Sequence, residues 1–92
     1  MPDGYLVQLG DGVLDPGDGI VDPLVTFTTD ENLGTGNWVW SGTFNGTTFT
    51  NTAEPGVYFL ATNGNVYFVP DFGPVTTITS ASVTGAPTFP VS

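Results

Sequence analysis

The sequence predicts an all-β fold, a small antiparallel β-sandwich or flattened barrel of about six to eight strands with almost no helix. Two observations carry this prediction. Asn-Gly pairs at 45–46 and 63–64 each separate two runs rich in apolar and β-branched residues, which is the strongest short-range signal for a β-hairpin. No stretch repeats its apolar residues with the period of an amphipathic helix.

The segment 57–70, VYFLATNGNVYFVP, is predicted to be the central hairpin. A two-residue type I′ turn at Asn63 and Gly64 would pair the strands so that both faces are apolar. One face then carries Tyr58, Leu60, Tyr67 and Val69, and the other carries Val57, Phe59, Ala61, Val66 and Phe68. Because a hairpin with one solvated face alternates apolar with polar residues, we expect the core to cover one face and a partner to cover the other. Tyr58, Leu60, Tyr67 and Val69 are the candidate partner-binding residues of this hairpin.

A second hairpin is predicted from Trp38–Phe44 and Thr47–Thr52, turned by Asn45-Gly46. Its register divides an aromatic face from a hydroxyl-rich face, with Gly42 opposite Phe49 to leave room for the ring. The aromatic face carries Trp38, Trp40, Phe44 and Phe49, and the other carries Val39, Ser41, Thr43, Thr48, Thr50 and Thr52. Two interpretations of the tryptophans stay open, core packing or an exposed platform for a sugar.

Three further strands are predicted at Tyr5–Leu9, Leu24–Thr29 and Val75–Thr84, and the Gly- and Asn-rich segment Asp30–Asn37 is predicted to be a loop. Residues 1–84 would then form a single β domain.

The C-terminal segment 85–92, GAPTFPVS, contains two prolines, which interrupt a sheet, and we expect an extended arm there. Phe89 and Val91 are the anchors by which this arm would bind a partner.

The charge balance restricts the partners. The chain has nine acidic residues and no Lys, Arg or His, for a net charge of −9. Such a surface repels phosphate backbones and anionic lipids, so neither nucleic-acid nor membrane binding is expected. It attracts metal ions or a basic protein surface. No apolar run is long enough to span a membrane, and Met1-Pro2-Asp3 lacks the positive n-region of a secretory signal, so neither a membrane span nor such a signal is expected.

Four aspartates, Asp11, Asp15, Asp18 and Asp22, follow one another at spacings of four, three and four residues in an approximate repeat, DGVLDP and DGIVDP. The segment can form two tight turns, since Asp and Gly both favour turns. It can also supply several oxygens to one Ca²⁺ ion. The run LDPGDGI resembles the Asp- and Gly-rich turns of bacterial surface modules that bind calcium. Calcium is the one cofactor that the sequence leaves open.

Catalysis is not expected. Without His, Cys, Lys or Arg, the chain has no histidine base, thiolate, Schiff-base lysine or arginine clamp. The predicted register places Gly56 opposite Asp71, so Glu54 and Asp71 lie near one end of the central hairpin. Paired carboxylates can hydrolyse glycosides. Solvated acids, or a minor cation site, are the alternative interpretations of this pair.

Two resemblances bear on function. The stretch TTFTNTAEPGVYFLATNGNVYFVPDFGP, residues 47–74, resembles the small β module that precedes hedgehog/intein-type autoprocessing domains in bacterial secreted proteins. In size and composition the whole chain is similar to phage head decoration (cement) proteins. That resemblance implies a structural protein on the outer surface of a capsid, bound to a virion protein and assembled as a homo-oligomer such as a trimer. The alternative is a calcium-dependent extracellular β module.

Overall fold

The computed structural model describes residues 2–10, 12–71, 73, 75–85 and 89–90. It confirms the predicted all-β fold. The strands are β1 (Asp3–Gln8), β2 (Val13–Leu14), β3 (Gly19–Thr26), β4 (Thr29–Phe44), β5 (Thr47–Ala61), β6 (Val66–Pro70), β7 (Thr77–Gly85) and β8 (Phe89–Pro90). None of the described residues lies in a helix long and apolar enough to cross a membrane.

Six strands close into an antiparallel barrel in the order β1-β3-β7-β4-β5-β6, with β6 pairing back onto β1. The barrel, one of the two predicted forms, is therefore the one adopted. Strands β2 and β8 form a separate two-stranded sheet, in which Val13 lies opposite Pro90 and Leu14 opposite Phe89. The C-terminal segment predicted to be an arm thus contributes a short strand to this sheet.

The hairpin of β4 and β5 turns at Asn45 and Gly46, whose φ angles of 51° and 78° are those of the predicted type I′ turn. Gly42 lies opposite Phe49, as predicted. Beyond this pair the ladder shifts at a bulge, where Asn51 has a φ of 46° and its N–H donates to Ser41 Oγ at 2.9 Å.

Both strands of this hairpin are longer than predicted. The prediction of a loop at Asp30–Asn37 is wrong, because these residues belong to β4. Their glycines do not break the strand. Gly34, with a φ of 116°, sits where the ladder to β5 shifts its register, and Gly36 lies directly opposite Gly56. Glycine in a strand marks a bulge or a close approach as often as a strand end, and the sequence alone does not distinguish these cases.

The central hairpin, β5 and β6, is confirmed as a hairpin, but its predicted register is wrong by one residue. Gly64 N–H donates to Ala61 O at 3.0 Å and Ala61 N–H donates to Asn65 O at 2.9 Å, so the loop has three residues, 62–64. Gly64 has a φ of 88°, whereas Asn63 is not among the residues with positive φ. This is the three-residue loop with a left-handed glycine, in place of the two-residue turn.

The interior of the barrel is filled by large aromatic side chains. Trp38 and Trp40 are 0% and 1% exposed, so they pack in the core, and the interpretation as an exposed sugar platform is wrong. Trp38 stacks between Tyr5 and Trp40, with ring centroids 5.6 and 5.7 Å away, and Phe68 packs against it at 5.0 Å. The partly buried Phe44 and Phe49 pack at the edge of the same cluster.

Two tyrosine hydroxyls meet backbone groups inside the barrel. Tyr58 donates to Asn37 O at 2.8 Å. Tyr5 accepts a hydrogen bond from Val75 N–H at 3.1 Å and donates to Val75 O at 3.3 Å. Because an unpaired buried hydroxyl costs free energy, these bonds allow tyrosine to occupy core positions.

Candidate interaction surfaces

A second apolar cluster covers part of the outer wall of the barrel. Its buried members are Phe27, Ala61 and Tyr67, and its partly buried members are Leu6, Val25, Phe59 and Val69. Side chains alternate along a strand, and the neighbours of these residues on β1, β5 and β6 belong to the interior cluster. The seven side chains therefore face away from the barrel interior, and we call them the outer-wall cluster.

The chain between β3 and β4 shields the centre of this cluster. Phe27 N–H donates to Pro2 O at 3.0 Å, and the Phe27 ring stacks on Tyr67 with centroids 4.5 Å apart and planes 7° apart. Gly4 makes this approach possible, because a Cβ there would lie 2.9 Å from Phe27 Cε1. The side chains around the ring, Leu6, Val25, Phe59 and Val69, remain partly exposed.

The four hairpin residues predicted to form one partner-binding face do not lie on one face. Tyr58 is fully buried and Leu60 packs beside it in the interior cluster, whereas Tyr67 and Val69 belong to the outer-wall cluster. The cause is the register: Phe59, not Leu60, lies opposite Tyr67. A slip of one residue moves every side chain of one strand to the other face.

The other five residues of the cluster were not predicted to bind a partner: Leu6, Val25, Phe27, Phe59 and Ala61. Had a three-residue loop at 62–64 been assumed, the predicted register would have placed Phe59 beside Tyr67. No local signal places Phe27 there, because it follows the end of β3 and packs across the sheet.

Of the two predicted anchors of the C-terminal arm, the structure describes the backbone of only one. The backbone of Phe89 pairs with Leu14 in the small sheet. Val91 lies outside the described residues. The partner-binding role of both stays a prediction.

The centre of the Asp-rich segment, residues 15–18, forms a tight turn. Asp15 N–H donates to Asp18 Oδ2 at 3.0 Å, and Asp18 N–H donates to Asp15 O at 3.3 Å. Two further backbone bonds hold this turn on β7, from Gly17 N–H to Val83 O at 2.8 Å and from Val83 N–H to Asp18 O at 2.9 Å. These bonds fit the interpretation of residues 15–18 as a turn.

The second half of the segment is part of β3. Leu6 pairs with Val21 and Tyr5 with Leu24, so that Asp22 and Pro23 form a bulge between the two pairs. Asp11 lies outside the described residues. Among the side chains that the structure describes, no group of three or more potential metal ligands is found. Calcium binding by Asp11, Asp15, Asp18 and Asp22 stays a prediction.

The carboxylates at the end of the central hairpin lie in different settings. Gly56 pairs with Pro70, not with Asp71 as predicted, and Asp71 N–H donates to Pro55 O at 3.1 Å. Asp71 is exposed, whereas Glu54 is partly buried and lies opposite Trp38 on β4.

Burial raises the pKa of the Tyr58 phenol well above its ordinary value, and the negative charge of Asp18 raises this pKa further. Tyr58 is thus held as a neutral hydrogen-bond donor to Asn37 O at every physiological pH.

Fold and surface together define a small acidic β-barrel with an apolar cluster on part of its outer wall. Comparison with protein-family models, with curated proteins and with solved structures found no match for this chain.

Proposed function

We propose that this chain is a non-enzymatic structural protein that binds another protein through the outer-wall cluster of its barrel. The observation that carries this proposal is the cluster itself. Phe59, Val69, Leu6 and Val25 expose part of their apolar surface on a wall that already has a full aromatic core behind it. Contiguous apolar surface outside a core marks an interaction site.

The assembly that we propose is a phage capsid, with the chain as a decoration protein on its outer surface. The size and composition of the chain support this, since both are similar to those of capsid decoration proteins. Its charge of −9, without a single basic residue, suits a surface that does not meet DNA. Attachment through apolar side chains leaves the carboxylates free to face solvent.

The test is co-sedimentation of the purified chain with empty capsids of the phage whose genome encodes it. Val69→Ser removes apolar surface from the outer-wall cluster. Val39→Ser is the matched control, because Val39 is also a partly buried valine in the barrel wall, between the interior residues Trp38 and Trp40.

We expect Val69→Ser to weaken capsid binding by about tenfold, as loss of a buried valine surface does, and Val39→Ser to leave it unchanged. The melting temperatures of both variants should be compared first. A wild-type chain that stays in the supernatant would disprove capsid decoration. Equal loss of binding in both variants would disprove the role of the outer wall.

A further inference from the structure

The barrel is closed by only one ladder pair between β3 and β7, among the residues that the structure describes. Strands β3 and β7 are eight and nine residues long, yet within the described part of the chain they pair only at Gly19 and Ser82. The bonds of the Asp15–Asp18 turn to Val83 extend the contact on one side of this pair. On the other side, the described residues of the two strands form no further ladder pair.

An open groove of about 310 Å³ occupies that place. It is lined by Gln8, by residues 19–21 of β3 and by residues 78–81 of β7. The groove therefore runs between the facing edges of two neighbouring strands. Its volume is at the lower end of the range found for binding pockets in proteins, about 300–1,000 Å³.

We propose that this groove, hereafter the β3–β7 groove, binds an extended peptide segment of another protein as an added strand. Facing strand edges carry backbone N–H and C=O groups that can pair with an inserted strand. Lysine commonly protects such edges from pairing, and this chain has no lysine.

The Gly19–Ser82 pair closes the groove at one end, and features of both strands limit the inserted strand at the other end. Strand β7 begins at Thr77, and on β3 the bulge at Asp22 and Pro23 ends the regular edge after Val21. Proline cannot donate a backbone hydrogen bond, and a bulge interrupts the ladder. The groove thus accommodates an extended segment of roughly three to five residues, at the usual rise of about 3.3 Å per residue.

The occupant is a segment that carries Lys or Arg. Asp18 directly precedes the groove-lining part of β3, and the chain as a whole carries nine acids and no basic residue. A second copy of this chain would bring nine more acids and no cation. A basic strand is attracted where a second copy is repelled.

The probe is a capped synthetic peptide of alternating valine and lysine, VKVKVKV, titrated into the isotope-labelled full chain and followed by NMR. Two control peptides accompany it. In one, the valines are N-methylated, which removes backbone donors while keeping the charge. In the other, glutamate replaces lysine.

We expect the valine-lysine peptide to give cross-strand contacts to the backbone of Ile20, Val21 and Thr79. The N-methylated peptide should bind at least about tenfold more weakly, because each lost backbone hydrogen bond costs about 0.5–1.5 kcal/mol. The glutamate peptide should not bind. Equal binding of the N-methylated peptide would show attraction by net charge alone and would overturn the proposal, as would contacts confined to another surface.

Variants of the chain give a second, independent readout. Ser80→Lys places a cation at an exposed position that lines the groove. Thr48→Lys makes the same change of charge at an exposed position of β5 outside it. Ser80→Lys should weaken peptide binding by about tenfold and Thr48→Lys by less than about twofold.

If Ser80→Lys lowers the melting temperature, Thr79→Lys replaces it, because Thr79 is also exposed and lines the groove. Equal weakening by the groove variant and by Thr48→Lys would overturn the proposal. The result does not depend on capsid attachment, which the outer-wall variants test separately.

Discussion

At the scale of single residues, two glycines make room for the aromatic core. A Cβ at Gly56 would overlap Phe68 Cζ and would lie 2.5 Å from Val69 O. A Cβ at Gly36 would lie 2.6 Å from Tyr58 Cε2 and would overlap Gly85 O. These two glycines face each other across β4 and β5, beside the Tyr58 and Phe68 rings, whose centroids are 4.7 Å apart. The rings occupy the space that two side chains would otherwise fill.

The two faces of the central hairpin should differ in their contribution to stability. Phe68 is fully buried in the barrel interior, whereas Phe59 is partly exposed on the outer wall. Phe68→Ala should reduce the free energy of unfolding by about 3–5 kcal/mol, and Phe59→Ala by less than about 3 kcal/mol. The exposed control Thr50→Ala should stay within about 0.5 kcal/mol. Urea denaturation measures all three, and a larger loss for Phe59→Ala would contradict the observed register.

Tyr58 should make the protein sensitive to alkali. Its pKa is raised in the folded chain, so the folded state keeps the phenol proton after the unfolded state, with its ordinary pKa of 10.0, has lost it. The stabilisation is complete below pH 10 and is lost as pH rises above it, at most by about 1.4 kcal/mol per pH unit.

Tyr58→Phe removes this titration together with the hydrogen bond to Asn37 O. At pH 7 the variant should be less stable by about 0.5–1.5 kcal/mol. Above pH 10 the difference between wild type and variant should shrink. Urea denaturation from pH 7 to pH 12 would show this, and a difference that does not change with pH would contradict the burial of a neutral phenol.

At the scale of elements, the loop at 62–64 depends on one left-handed residue. Gly64 has a φ of 88°, and no atom lies within 4 Å of the place that a Cβ would occupy, so a substitution there acts through the backbone alone. Gly64→Ala should cost about 1–2 kcal/mol, and D-alanine at this position, introduced by chemical synthesis, should restore stability.

Gly10→Ala is the matched control for this loop. Gly10 also has open space around it but no positive φ, so the change should be neutral or slightly stabilising. Thermal denaturation compares the three proteins. Equal effects of L- and D-alanine at position 64 would contradict the left-handed loop.

At the scale of the whole molecule, charge repulsion acts across the entire barrel. The molecule measures 37 × 26 × 19 Å, which is close to the Debye length of about 30 Å at 0.01 M salt. All nine carboxylates therefore repel one another at low salt, and at 1 M salt, where the Debye length is about 3 Å, only neighbours do. The melting temperature should rise as NaCl increases from 0.01 M to 1 M, and a melting temperature independent of salt would contradict this account.

A calcium site would add a specific effect to this general one. If Asp18 is a ligand, CaCl₂ should raise the melting temperature more than MgCl₂ at the same ionic strength, and Asp18→Asn should abolish the difference. Equal melting temperatures in the two salts would leave the Asp-rich segment as a turn and a bulged strand.

Self-association should also respond to salt. A trimer would carry three times −9, or −27, with no basic residue to offset it. Association through the outer wall should strengthen as NaCl screens this repulsion. Sedimentation equilibrium at low and high salt measures the effect, and oligomers that dissociate at high salt would contradict an apolar interface.

Local sequence determined the fold class and the positions of both hairpins. Asn45-Gly46 adopts its predicted turn because both residues must have positive φ and few other residue pairs tolerate that. The burial of Trp38 and Trp40 follows from the alternation of their strand.

Tertiary structure decided the register of the central hairpin and the composition of the outer-wall cluster. Asn63-Gly64 is the same dipeptide as Asn45-Gly46, yet it forms a different loop, and Tyr58 and Phe68 thereby enter the interior together. Two- and three-residue loops are both common in hairpins, so the Asn-Gly pair alone does not fix the register, and the packing of the Tyr58 and Phe68 rings inside the closed barrel favours the three-residue loop. Only Tyr67 and Val69 of the outer-wall cluster were predicted to bind a partner. The wrong register put Phe59 and Ala61 on the other face, and Leu6, Val25 and Phe27 come from segments distant in sequence.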